Sequence, residues 1–202
     1  MKSTTTPSRA FLAGVGTLAV LAFAAGCGGD AMGGMDHGAR PGATGSVAGA
    51  TFNDADVAFA QMMAPHHEQA VTMAGLAETR VGDPELKKVA AAIKAAQAPE
   101  ITTMTGWLTA WQRPTTAPGG HDMGGMPGML APQELAALSA ASGVAFDRLF
   151  AKGMIAHHNG AVAMARDEQA KGVNAEAKAL AATIEKAQAA EIATLQKILD
   201  RL

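Results

Sequence analysis

The chain has 202 residues, enough for one domain of ordinary size beside an export segment. Its 16 basic and 18 acidic residues give a formal net charge of −2 with no basic patch, which argues against a nucleic-acid partner. The single cysteine rules out an intrachain disulfide, and an Ala-rich composition without tyrosine favours helices.

Residues 1–26 read as a secretory signal. Lys2 and Arg9 are basic, and Ala10 to Ala25 is apolar and small-sided, too short and too small for a spanning helix. The run ends at Ala24-Ala25-Gly26-Cys27, which resembles a bacterial lipobox. Cleavage before Cys27 and lipidation of that residue would hold the protein at the outer face of the cell membrane. Residues 27–52 then form a Gly-rich tether carrying Met32, Met35 and His37.

The folded part is expected over 53–202. Asn53 is an N-cap with Asp56 three residues on, and the helix it starts runs to about Arg80. Val81-Gly82 ends it. Asp83-Pro84-Glu85 supplies a cap, a first-turn proline and an acidic first turn, starting a helix to about Trp111. Pro65 and Pro99 fall inside these two helices and predict kinks, the first next to His66. Residues 113–132 are a Met-rich linker, with His121, Met123, Met126 and Met129 among Gly and Pro. A short helix over 133–140 follows, then long helices over about 144–171 and 175–202, separated by Gly172-Val173-Asn174.

One stretch occurs twice. Met63, His66, His67, Ala70, Met73 and Ala74 recur at the same offset as Met154, His157, His158, Ala161, Met164 and Ala165. Asp56 matches Asp147 and Phe59 matches Phe150. In the next helix Ile93, Gln97 and Glu100 match Ile184, Gln188 and Glu191. Repeat one is thus 53–112 and repeat two 133–202. Two copies of a helix pair predict an all-α four-helix bundle of duplicated hairpins, with equivalent positions brought together about a pseudo-twofold axis.

At about 100° per residue, the Phe, both His, both Met and the small Ala of each copy share one arc of roughly 120°. The histidines therefore face the core. Gln97 and Glu100 lie among the apolar residues of the neighbouring helix. A buried carboxylate is costly unless it is paired, hydrogen-bonded or metal-bound. Four His, two Glu and four Met on one bundle interior suit copper, Cu(I) above all, because imidazole and thioether are its donors. Zinc gains little from Met, and zinc and iron are both less favoured than copper. A closed His/Gln/Glu network without metal is the competing reading. The flexible linker thioethers, with His121, are a further candidate for metal capture.

The pattern Phe-x₃-Met-x₂-His-His-x₂-Ala-x₂-Met-Ala followed by Ile-x₃-Gln-x₂-Glu-Ile resembles the domain of unknown function 305 family. The likeness covers about Asn53 to Leu202, with both elements present twice. It implies a ferritin-like four-helix bundle, export, frequent lipid anchoring and, for some members, copper binding. By matching position the implied metal residues are Met63, His66, His67, Met73, Met154, His157, His158 and Met164. Gln97, Glu100, Gln188 and Glu191 are possible ligands or their supports.

Three functions compete. The first is a lipid-anchored copper-binding module that sequesters, buffers or transfers the metal. The second is a ferritin-like oxidase, against which stands the absence of any Glu-x-x-His element. The third is a metal-free structural bundle. The chain has no Ser/His/Asp order, phosphate loop or CxxC, and nothing in it sets an oligomeric state.

Overall fold

The computed structural model describes residues 51–116 and 126–202. The segment read as a signal, Cys27, the tether up to residue 50, His121 and Met123 lie outside the described residues. Within them there is no strand. Five helices follow in order: α1 (Asp54–Arg80), α2 (Pro84–Ala110), α3 (Pro132–Ala140), α4 (Gly143–Lys171) and α5 (Ala175–Arg201). These boundaries fall within a residue or two of those read from caps and turns.

The caps form as their chemistry demands. Asn53 Oδ1 accepts from the backbone N–H of Ala55 and Asp56, at 2.9 and 3.1 Å, and Asp56 accepts from Asn53 N–H in return. Asp83 accepts from Glu85 and Leu86 N–H, with Pro84 at the first helical position. Asn174 accepts from Ala177 N–H at 2.9 Å. Pro65 and Pro99 lie inside α1 and α2, each of which remains a single helix. His66 and His67, beside Pro65, are both 0 % exposed.

Helix α1 packs most heavily on α2, and α4 on α5, so each repeat is one antiparallel hairpin. The two hairpins join mainly through α1 and α4, while α2 and α5 touch far less. Two apolar clusters fill the interior. One holds Met73, Leu86, Ile93, Phe146, Phe150, Met154, Leu195 and Ile198. The other holds Phe59, Met63, Met104, Leu108, Met164, Ala181 and Ile184. The residues numbered between these clusters on α1 and α4 are the histidines, so a polar layer interrupts an otherwise apolar core.

Each hairpin grips the turn of the other. Asp147 of α4 accepts from the backbone N–H of Gly82 and Asp83, at 2.9 and 3.0 Å. Asp56 of α1 accepts from Val173 and Asn174 N–H, at 3.1 and 2.9 Å. These are matching residues on matching turns, which is what a pseudo-twofold axis requires. Burial would raise Asp56. A hydrogen bond from Glu168 and three backbone N–H groups outweigh it and hold its pKa below the ordinary value.

Symmetry fails beside Asp56. Glu168 is 2 % exposed, and neither carboxyl oxygen has a donor partner. Burial, together with the adjacent Asp56 carboxylate, pushes Glu168 up to about 8. It therefore keeps its proton at neutral pH and donates to Asp56. The repeat-equivalent position near Asp147 is Ala77, which has no such group.

Candidate metal centre

Helix periodicity puts all four repeated histidines inside, and all four are 0 % exposed. His66 and His157 meet across the axis with ring centroids 3.7 Å apart and planes tilted by 37°. His67 and His158 turn away from the axis, each toward the second helix of its own hairpin. His67 Nε2 donates to Glu100 Oε2 at 2.8 Å, and His158 Nε2 to Glu191 Oε2 at 2.7 Å. The glutamates are partly exposed, 19 % and 23 % at the side chain, so these pairs connect the buried layer to the surface.

A third acceptor comes from outside the helices. Pro127, just before α3, offers its carbonyl to His66 Nε2 at 3.1 Å. A carbonyl or carboxylate oxygen accepts only, so Nε2 carries the proton in His66, His67 and His158. In the neutral ring that places the lone pair of each on Nδ1. All three Nδ1 atoms are buried without a partner, and His157 has neither ring nitrogen partnered. Burial lowers His66 to about 4, a shift that the Pro127 bond resists and the other histidines reinforce. Burial, then the neighbouring histidines, lower His157 further. Both rings are therefore neutral at pH 7, the form that ligates metal.

The polar layer is not a closed network. Glu100 and Glu191 engage histidines, but both amide atoms of Gln97 and the oxygen of Gln188 have no partner. Each buried polar atom left unsatisfied costs about 1–3 kcal/mol. A bound cation would offset that cost at the ring nitrogens, so the donor set fits a metal. Among the described residues, however, no three His, Cys, Asp or Glu side chains converge into a ready cage. Thioether sulfur or a turn of a side chain must complete one.

The methionines do not converge on one point. Met73 and Met154 lie in the cluster on one side of the histidine layer, and Met63 and Met164 in the cluster on the other. All but Met164, at 7 %, are fully buried. Two of the linker methionines also differ from expectation. Met126 and Met129 are 6 % and 8 % exposed, packed rather than hanging free, because their segment lies against the bundle. Sequence reasoning passed over that contact. Its signal was the repeat position shared by Gln69 and Gly160, where the two copies disagree.

Fold and site together define a four-helix bundle whose middle is a buried histidine layer flanked by methionine pairs. The chain belongs to the family described as Domain of unknown function (DUF305), whose model matches residues 56–199. A family protein from Deinococcus radiodurans is 31 % identical, with a TM-score of 0.68 over 74 % of this chain and 98 % of that one. A family protein from Streptomyces coelicolor, provisionally described as secreted, is also 31 % identical. Its TM-score is 0.68 over 73 % of this chain and 91 % of that one. CopM in its Cu(I)-bound form is 35 % identical, with a TM-score of 0.61 over 72 % of this chain and 96 % of that one. CopM is also known in Cu(II)-bound and Ag-bound forms. No curated protein sequence matches the chain.

Proposed function

We propose that the protein is an exported copper-binding lipoprotein that sequesters, buffers or passes on Cu(I) outside the cytoplasm. The observation that carries this reading is the set of buried ring nitrogens without partners, on three histidines whose other nitrogen is already engaged. A carboxylate on the far nitrogen of a ligating histidine fixes its orientation and raises its basicity. Glu100 and Glu191 are placed for that role. Imidazole nitrogen and thioether sulfur are soft enough for Cu(I) and Ag(I). CopM, with its copper-bound and silver-bound forms, supports the same chemistry for this chain.

In this reading His66, His67, His157 and His158 supply nitrogen, and Met63, Met73, Met154 and Met164 supply sulfur from either side. Gln97 and Gln188 complete the polar layer. His121, Met123, Met126 and Met129 collect the ion on its way in. Lipidated Cys27 keeps the protein at the outer face of the membrane. Titration with Cu(I) against a competing chelator tests the reading. Tight binding that is lost when His66 and His157 are both replaced by Ala supports it. Binding no tighter than scattered surface sites overturns it.

A further inference from the structure

The histidine layer is fully buried, so any ion that reaches it must pass something that moves. The four long helices are poor candidates, because the Asp56 and Asp147 grips hold both ends of the bundle. One segment at the site is not helical. Residues 126–131 cross α1 and α4 as a strap.

Among the described residues, three hydrogen bonds tie the strap to α1. Pro127 accepts from His66. Gln69 of α1 makes a two-way clamp on Leu130: its amide donates to the Leu130 carbonyl at 3.0 Å, and its oxygen accepts from Leu130 N–H at 2.8 Å. On α4 the strap lies so close that a Cβ on Gly160 would collide with the Pro127 carbonyl. A Cβ on Gly128, itself at φ +81°, would collide with the Ala156 carbonyl. Glycine inside a helix is ordinarily unfavourable; at Gly160 close approach of the strap accounts for it. Gln69 and Gly160 occupy the same position of the two repeats. One copy clamps the strap and the other makes room for it.

We infer that residues 126–131 form the gate of the histidine layer, and that Gln69 and Gly160 set how often it opens. The inference rests on the copper reading for its cargo but not for its motion. When the strap lifts, His66 Nε2, the Gln69 amide and the Leu130 backbone exchange their partners for water. The buried rings are then exposed to solvent. Met126 and Met129 travel with the strap, so closing brings thioether sulfur toward the layer.

The motion is read without metal, by peptide-resolved acylation of the metal-free full chain with diethyl pyrocarbonate. Gln69→Ala should raise the acylation rate of His66 and His157 about tenfold, from the loss of two hydrogen bonds that hold the closed state. Gly160→Ala should do the same by wedging the strap off. Circular dichroism confirms that each variant is folded. Unchanged acylation in either folded variant overturns the gate. With Cu(I) as probe, Gln69→Ala should speed uptake and release together in stopped-flow exchange with a chelator. A change in release alone would mean that Gln69 acts on the bound ion, and also overturns the gate. Faster acylation in a chain that binds no Cu(I) upholds the gate and overturns the copper reading instead.

Discussion

Tautomers decide what the histidines can do. Three of the four have Nε2 engaged by an oxygen acceptor, so in the neutral ring their lone pairs sit on Nδ1. Replacing Glu100 or Glu191 with Gln keeps the size and removes the charge that orients the ring. We expect Cu(I) affinity to fall about 10- to 100-fold in each, measured by chelator competition. Glu168 makes a separate prediction. Its folded pKa of about 8 lies above the ordinary 4.5, so it binds a proton that the unfolded chain releases. The stability it contributes is complete below about pH 4.5 and is lost as pH rises through 8. In Glu168→Gln that loss should vanish, making the variant more stable than the parent at pH 8–9 by a few kcal/mol. Urea unfolding from pH 5 to 9 checks this, and parallel curves for parent and variant would contradict it.

At the scale of elements, the hairpins were legible because their signals are local. Asn53, Asp83-Pro84 and Asn174 carry cap chemistry, and a 3.6-residue period needs no tertiary information. The repeat made the pairing of the hairpins legible as well. The strap was not, since docking of a Gly/Pro segment depends on contacts distant in sequence, such as Gln69 with Leu130. Nor could helical phase show that His67 and His158 turn toward glutamates while His66 and His157 meet each other, because all four share one arc. Glu168 was invisible for a related reason: its partner Asp56 is on another helix, and the other repeat has Ala77 at that place. The reciprocal grips yield a prediction. Asp147→Ala strands the Gly82 and Asp83 N–H groups and should destabilise the fold by about 2–4 kcal/mol. Thermal unfolding measures it, and a loss under about 0.5 kcal/mol would mean that water replaces the carboxylate at no cost.

For the whole molecule, two titrations act in opposite directions. His66 and His157 stay neutral in the fold below the pH at which they charge in the unfolded chain. Their contribution is therefore lost as pH falls from about 6.5 toward the folded value of about 4 for His66. Glu168 removes stability on the alkaline side. The metal-free protein should show a stability maximum at about pH 6.5, where the two histidine titrations balance that of Glu168, located by melting temperature against pH. Two apolar clusters carry the fold on either side of the polar layer. A bound ion should still raise the melting temperature by mass action.

The central claim is that the histidine layer and its flanking methionines are one binding site for Cu(I). X-ray absorption at the copper edge of the Cu(I)-loaded protein reads the ligands directly. The account predicts mixed imidazole nitrogen and thioether sulfur around the metal, with the nitrogen component lost when His66 and His157 are replaced by Ala. Sulfur ligation alone, unchanged in that variant, would place the copper on the linker methionines and contradict the claim.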